Sequence, residues 1–166
     1  LSRLDDLVSV YAELLGALKA AGAEWVQLDE PALVSEALPA SAATLGAAAE
    51  RAYATLGGLA ERPAIFVAAP YAALDANLAV LASAPIEAIG LDLVRGTVPA
   101  AVPGLADKVL VGGVIDGHNI WRGDLAAAFD TLEALRGLGA AGVAASTSTS
   151  LQHVPHDVED ETKLDA

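Results

Sequence analysis

The fold expected for this chain is decided by the stretch Glu24-Trp25-Val26-Gln27-Leu28-Asp29. It is short and rich in β-forming residues, and it is closed by Pro31, which cannot donate a hydrogen bond to a sheet. Side chains of a strand alternate between two faces, so Val26 and Leu28 form an aliphatic face opposite the residues at odd-numbered positions. The aliphatic face suits packing against helices, and the opposite face suits the interior and mouth of a barrel.

Helical and strand-like segments alternate on both sides of this stretch. Over the first 21 residues, apolar side chains recur at helical spacing, and Gly22 follows as a C-terminal stop. Asp124 begins a later helix, because a carboxylate suits the N-cap and the positive end of the helix dipole. The expected helices are 3–21, 41–60, 72–83 and 124–137, and the expected strands are 24–29, 64–68, 86–91, 108–115 and 142–146.

This order predicts an α/β fold with a parallel sheet, since strands that alternate with helices are joined by right-handed crossovers. No glycine-rich phosphate-binding sequence follows a strand, which disfavours a dinucleotide-binding fold. Gly112-Gly113 lies inside a predicted strand, where it lets a neighbouring side chain approach closely. Residues 95–108 are expected to form a loop with at most a short helix. We therefore predict a partial (β/α)8 TIM barrel of about five parallel strands with covering helices.

The composition excludes several classes of protein. Nine basic and 22 acidic residues give a net charge of −13, which argues against binding to nucleic acid or to an anionic membrane. The absence of cysteine excludes a disulfide framework and a thiolate metal site within this chain. No secretory signal or apolar stretch of bilayer length is visible. We expect an acidic cytoplasmic protein.

Polar residues collect where the predicted strands end. The first strand ends in Asp29-Glu30, the third in Asp92, the fourth in Asp116 and the fifth in the run 146–150. In a barrel, the carboxyl ends of the strands surround one mouth, which makes these residues candidates for a ligand-facing rim. Arg95 and Arg122 are the expected partners of the carboxylates. A rim of salt bridges that only holds the barrel together fits these residues equally well. The candidate set is Asp29, Glu30, Asp92, Arg95, Asp116, Asn119, Arg122 and His153.

The histidines offer a weaker signal. His153 and His156, with Asp157 and Glu159 nearby, form a candidate metal cluster. Pro155 disfavours a helical presentation of these residues, and their spacing matches no established zinc motif. We expect no metal site here and interpret His153 as a hydrogen-bonding residue. The run of serine and threonine lacks a histidine base at an interpretable spacing, so no nucleophile is predicted.

Four segments resemble cobalamin-independent methionine synthases, in the family's order. Residues 25–33 resemble "W-[IV]-Q-[IL]-D-E-P-A-L", and residues 91–96 are similar to a segment that contains "L-D-L-V-R". Residues 113–122 resemble "G-V-I-D-G-R-N-I-W-R", and residues 146–155 resemble "S-T-S-C-S-L-L-H-V-P". The last three segments belong to the N-terminal barrel of the family. The departures lie on the presumed rim, at His118 (usually arginine), Thr149 (cysteine), Gln152 (leucine) and Ala69–Ala72 ("T-Y-F-G").

The resemblance implies a methyltransferase that moves a methyl group from 5-methyltetrahydrofolate polyglutamate to homocysteine, giving methionine. In that family, zinc activates the homocysteine thiol and is held by the C-terminal barrel, which this chain lacks, so no zinc or other cofactor is expected here. The chain begins with Leu1, and residues 161–166 look like the opening of a helix. We therefore expect residues 1–166 to form an incomplete N-terminal-type barrel domain, a fragment.

The expected role is structural and supporting, with no catalysis by the chain alone. The implied partners are the missing parts of its own barrel and the C-terminal catalytic barrel. Five strands where eight close a barrel leave two open edges and an uncovered inner face, so poor solubility or self-association is expected. Two alternatives remain open: a non-catalytic barrel module that binds folate or an amino acid, and an unrelated barrel hydrolase that holds a metal through carboxylates and His153.

Overall fold

The computed structural model describes residues 2–157 and residue 159, and in this range helices and strands alternate as the sequence predicts. The expected helical opening at 161–166 lies outside the described residues. The α-helices are α1 (Leu4–Ala20), α2 (Ala42–Gly57), α3 (Asn77–Ser83) and α4 (Leu125–Arg136). The strands are β1 (Trp25–Asp29), β2 (Ala64–Ala69), β3 (Ala88–Asp92), β4 (Val109–Ile115) and β5 (Gly142–Thr147). Short 3-10 helices occupy Pro31–Val34, Leu105–Asp107 and Leu151–His153.

The five strands form one parallel sheet in the order β1-β2-β3-β4-β5. A doubly wound fold reverses its strand order, whereas a barrel adds each new strand beside the last, so this order is that of a barrel segment. The register aligns Asp29 with Ala68, Ala68 with Gly90 and Gly90 with Val111. These residues lie on the inner face. The prediction of a partial (β/α)8 barrel is therefore confirmed.

The core lies between the outer face of the sheet and the helices. In β2, Ile65, Val67 and Ala69 are buried and alternate with half-buried residues of the inner face. Leu78 and Leu81 of α3 cover the outer face of the sheet and are almost fully buried. Burying one such aliphatic side chain contributes about 1.5–3 kcal/mol, so these residues stabilise the packing of the helices on the sheet.

Local features set the positions of the elements. Asp124 accepts hydrogen bonds from the backbone N–H groups of Ala126 and Ala127, each at 3.0 Å, and so caps α4 as predicted. At Gly112, an added Cβ would lie 2.8 Å from a methyl carbon of Leu132, which confirms the predicted close approach of a side chain. At Gly113, an added Cβ would instead meet the backbone of Ser148 at 2.7 Å. These glycines bring α4 and the end of β5 close to β4.

Helix α3 begins five residues later than expected, at Asn77. The segment after β2 contains two non-glycine residues with positive φ, Tyr71 at 89° and Asp75 at 46°, and neither value is compatible with a helix. Leu74 is nevertheless buried, like Leu78 and Leu81 of α3. The loop that replaces the first turn of the helix brings Tyr71 over the mouth of the sheet.

The outer helices leave apolar side chains uncovered. On α1, where an apolar stripe was predicted, only Leu15 is buried, while Leu7 and Leu14 are about half exposed. On α4, Leu125 and Phe129 are exposed. Both outer strands have one hydrogen-bonded neighbour within the described residues, so the sheet has two open edges. None of the helices in the described residues is both long and apolar enough to cross a membrane.

Candidate functional site

The carboxyl ends of the strands surround a cavity of about 340 Å³, which we call the mouth. Asp29 of β1 and Asp92 of β3 contribute to its wall on one side, and the polar run 146–150 after β5 contributes on the other. Gly90 lies beneath it, where an added Cβ would be 2.9 Å from the ring of Phe66. The absence of a side chain at Gly90 thus makes room for the ring across the inner face. A polar opening over a packed interior results.

Asp92 fixes two of the loops that surround the mouth. It is buried, and its Oδ2 accepts a hydrogen bond from the backbone N–H of Tyr71 at 3.0 Å. Its Oδ1 accepts from the backbone N–H groups of Val94 at 3.0 Å and Arg95 at 2.9 Å. Three hydrogen bonds to an ionised group compensate for its burial. Asp92 is therefore a positioning residue that joins the loop after β2 to the loop after β3.

Asp116 holds the loop after β4 in a similar way. Its Oδ1 accepts from the backbone N–H of His118 at 2.8 Å, and its Oδ2 accepts from Nδ2 of Asn119. Asn119 Oδ1 in turn accepts from the backbone N–H of Trp121 at 3.0 Å. A second cavity of about 320 Å³, beside the start of α4 and outside the mouth, is lined by Asp116, Asn119, Trp121 and Arg122.

The prediction that arginines neutralise the rim carboxylates is wrong. Within the described residues, neither Arg95 nor Arg122 forms a salt bridge with a carboxylate. The physical reason is geometric: an aspartate at a strand end is followed by a tight turn whose backbone N–H groups already point at it. Backbone donors are held in place by the fold, whereas a long side chain loses rotamer freedom when it is fixed.

Glu30 does not reach the mouth. Its Oε1 accepts a hydrogen bond of 2.6 Å from the hydroxyl of Tyr53, a buried residue of α2. Burial raises the pKa of Glu30 above its ordinary value, the hydrogen bond from Tyr53 partly opposes this, and the charge of Asp29 adds to it. Burial and then the charge of Glu30 also raise the pKa of Tyr53. Glu30 and Asp29 both line a third cavity of about 460 Å³ between α1 and β1, at one open edge of the sheet.

A cluster of donors at the outer rim contains residues that the sequence did not single out. His153 Nε2 lies 3.1 Å from the hydroxyl of Tyr71, and the rings of His153 and His118 are 4.4 Å apart between centroids. The centroids of Tyr71 and His118 are 5.7 Å apart. Arg95 Nη2 lies 3.5 Å from His118 Nδ1. The sequence indicated this cluster only in part. Arg95 and His153 were site candidates, whereas Tyr71 and His118 were noted only as lying at departures from the family sequence.

The run after β5 has a structural role. Ser148 Oγ accepts a hydrogen bond of 3.2 Å from the backbone N–H of Gly117, which joins the loops after β4 and β5. Thr149 is buried, and its Oγ1 has no hydrogen-bond partner among the described residues. Within residues 2–157 and 159, no group of three or more histidine, aspartate or glutamate side chains is arranged to hold a metal ion.

Sequence and structure comparisons give consistent results. A family model described as the cobalamin-independent synthase N-terminal domain matches residues 1–139. The chain is 54% identical over 167 residues to the 5-methyltetrahydropteroyltriglutamate–homocysteine methyltransferase of Mycolicibacterium paratuberculosis, and 52% identical to that of Mycobacterium tuberculosis strain H37Rv. In both cases 99% of this chain and 21% of the relative are covered. The chain thus spans about a fifth of the length of these curated relatives.

A solved structure confirms the fold at much lower sequence identity. A crystal structure described as a vitamin-B12-independent methionine synthase from Listeria monocytogenes superimposes with a TM-score of 0.66 at 17% identity. The match covers 89% of this chain and 48% of that one.

Proposed function

Because the chain belongs to the family of cobalamin-independent synthase N-terminal domains, we propose that it is a supporting portion of a cytoplasmic methionine-forming methyltransferase. In this role residues 1–166 form an incomplete N-terminal-type barrel domain. It contributes barrel structure and an interface with the catalytic C-terminal barrel. The relatives' names supply the reaction: a methyl group passes from 5-methyltetrahydrofolate carrying several glutamates to homocysteine.

The observation that carries this proposal is the contrast between a closed core and uncovered flanks. The middle strands are packed against helices, whereas Leu7 on α1 and Phe129 on α4 expose apolar surface at opposite edges of the sheet. Apolar patches next to unpaired strand edges are surfaces that pack against further chain. An eight-stranded barrel needs three more strands, and these would cover both edges. The partners proposed are therefore the remaining parts of the barrel and the catalytic barrel.

The zinc ion that the family implies does not fit the residues of this chain. Cysteine is absent from the sequence, and the described residues contain no group of three potential histidine or carboxylate ligands. The ring of His153 lies against the rings of Tyr71 and His118. We therefore propose that the zinc ligands of the whole enzyme lie outside the described residues, and we assign no catalytic residue here.

Of the rim candidates, only some are proposed to face a ligand or the partner barrel. Asp29 lines the mouth, while Arg95 and His153 belong to the donor cluster above it. Asp116, Asn119 and Arg122 surround the second cavity. Asp92 and Glu30 are assigned to positioning and packing, because their oxygens are occupied by Tyr71 and Tyr53 respectively.

An activity assay tests the supporting role. The purified chain is incubated with 5-methyltetrahydropteroyltriglutamate, homocysteine and zinc, and methionine is measured against a buffer blank. We expect no methionine above the blank, because the described residues contain no group of ligands for the zinc ion that would activate the thiol. Turnover by this chain would contradict the proposal.

The uncovered flanks give a second test. We expect the chain to self-associate in sedimentation velocity experiments, and the variant Phe129→Lys to reduce this association by placing a charge in the apolar patch. Ala134→Lys is the matched control, because it adds the same charge to an exposed position on α4 outside that patch. A monodisperse monomer with a cooperative thermal transition, or equal effects of the two variants, would contradict the proposed packing surface.

A binding module is the second candidate function, and the mouth is the observation that favours it. A polar cavity of about 340 Å³ is large enough for a small ligand. Isothermal titration calorimetry with 5-methyltetrahydropteroyltriglutamate and with homocysteine separates the two candidates. Saturable binding of either compound to the chain favours the module, and an absence of heat favours the supporting role.

A further inference from the structure

Four consecutive loops each contribute one polar side chain to a cluster at the rim of the mouth. Tyr71 follows β2, Arg95 follows β3, His118 follows β4 and His153 follows the end of β5. We call these four residues the donor cluster. Their separations are short: 3.1 Å between the Tyr71 hydroxyl and His153 Nε2, and 3.5 Å between Arg95 Nη2 and His118 Nδ1. Convergence of side chains from separate strand ends is the arrangement by which barrels build binding sites.

The charges in this region leave the arginine without a carboxylate. Asp92 and Asp116 accept hydrogen bonds from backbone N–H groups of the loops themselves, as described above. Within the described residues, Arg95 forms no salt bridge. This is unexpected in a chain with 22 acidic and nine basic residues. A guanidinium only donates, so His118 Nδ1 accepts and its other ring nitrogen, Nε2, carries the N–H.

The backbone at Tyr71 is strained, which indicates that the side chain is used. Its φ of 89° lies in the left-handed region that glycine adopts at little cost, and a non-glycine residue there costs about 1–3 kcal/mol. The hydrogen bond of 3.0 Å from its N–H to the buried carboxylate of Asp92 holds this conformation. The result is that the Tyr71 ring lies against both histidines.

We propose that the donor cluster of Tyr71, Arg95, His118 and His153 binds the carboxylate group of a small organic acid, whose remainder lies towards the mouth. A guanidinium with imidazole N–H and phenol O–H donors matches the oxygens of a carboxylate. The cluster contains one permanent cation, and Asp29, Asp92 and Asp116 lie close by. Those carboxylates disfavour a doubly charged phosphate more strongly than a singly charged carboxylate. This inference goes beyond the supporting role proposed above and does not depend on methyl transfer.

Imidazole NMR of the purified chain tests the proposal, with the singly charged carboxylate lactate and inorganic phosphate as probes. Before titration, a nuclear Overhauser effect between the rings of His118 and His153 is expected from their centroid distance of 4.4 Å. Its absence would overturn the proposal, because the cluster would not be formed. On addition of lactate, the signals of His118 and His153 are expected to shift saturably. His156, an exposed histidine that is not part of the cluster, serves as the internal control.

Substitutions identify the donors. Arg95→Gln is expected to weaken lactate binding by about tenfold or more, the effect of losing a hydrogen bond between charged groups. Arg136→Gln is the matched control, because it removes the same charge from an exposed position in the last turn of α4, away from the cluster, and it should leave the affinity unchanged. Equal affinity of Arg95→Gln and the wild type, or shifts of all three histidines together, would overturn the site. Phosphate binding as tight as lactate binding would overturn the assignment of the site to a carboxylate. Failure of these tests leaves the supporting role intact, since that role is judged by the activity and sedimentation experiments.

Discussion

The two ends of the sheet use their charged residues differently. At the amino ends of the strands, Arg62 and Glu87 form an ion pair with N–O distances of 2.8 and 2.9 Å, and Glu87 also accepts from the backbone N–H of Ile65 at 2.6 Å. At the carboxyl ends, Asp92 accepts only from backbone N–H groups, and Arg95 forms no salt bridge within the described residues.

This difference separates residues that stabilise the fold from residues that are available to a ligand. Arg62 is mostly buried and also donates to the carbonyl oxygens of Gly57, Pro63 and Pro85, so its hydrogen-bonding capacity is used within the fold. Arg95 is exposed, and within the described residues its side chain forms one hydrogen bond, with His118. A cation with unused donors beside two imidazoles is suited to recognition, whereas the cation at the opposite end is suited to stability.

The largest loss of stability is expected from removing the carboxylate of Asp92, at the carboxyl ends of the strands. Asp92→Ala leaves three backbone N–H groups around a buried position without an acceptor, and we expect a loss of about 3–5 kcal/mol in the free energy of unfolding. Asp92→Asn keeps one acceptor oxygen and should lose about half as much. Urea unfolding measures both. A loss below about 1 kcal/mol in the alanine variant would show that Asp92 does not hold these loops.

A smaller effect is expected at the amino end. Arg62→Gln removes the ion pair with the half-exposed Glu87 together with three hydrogen bonds to carbonyl groups, and we expect a loss of about 2 kcal/mol. Arg3→Gln is the control, because the Arg3–Asp6 pair is exposed and should contribute less than about 0.5 kcal/mol. Similar losses in the two variants on urea unfolding would contradict the role assigned to Arg62.

The same ion pair makes stability depend on pH. Burial alone would raise the pKa of Glu87, but hydrogen bonds from Arg62 and Ile65 and the charge of Arg62 lower it below its ordinary value of 4.5. A carboxyl group whose pKa is lowered on folding stabilises the fold above its unfolded pKa and loses this contribution as the pH falls through the folded pKa. The difference in the free energy of unfolding between the wild type and Arg62→Gln should therefore become smaller below pH 4.5. A difference that is constant down to pH 3 would contradict this assignment.

The smallest effect concerns backbone strain at the carboxyl end. At Tyr71, with its φ of 89°, the variant Tyr71→Gly should be more stable than Tyr71→Ala by about 1 kcal/mol, since both lack the ring and only glycine tolerates this φ. The neighbouring Ala72 does not have a positive φ and serves as the control. The variant Ala72→Gly should therefore destabilise the fold. Thermal unfolding compares the variants. Greater stability of the alanine variant at position 71 would show that the backbone there is relaxed.

The fold was largely predictable, because helical periodicity and strand alternation are local properties of the sequence. Strand β4 was expected at 108–115 and occupies Val109–Ile115. The start of α3 was not predictable, because Tyr71 and Asp75 have positive φ without the glycine that normally signals it. The site was predicted only in part. Strand ends identify which residues can approach the mouth, but loop conformation decides that Glu30 turns away to Tyr53 and that His118 meets His153.

The claim on which these interpretations depend is that the carboxyl ends of the strands face one opening. Because the chain lacks cysteine, pairs of introduced cysteines carry spin labels at defined positions, and double electron–electron resonance measures their separation. The first pair, Asp29→Cys with Asp116→Cys, has both labels at carboxyl ends of strands. The second pair, Asp29→Cys with Asp107→Cys, has one label before the start of β4. Because a strand rises about 3.3 Å per residue, the labels of the first pair should be closer together than those of the second by about 10 Å or more. Equal separations, or a shorter distance to position 107, would contradict a common mouth and the barrel with it.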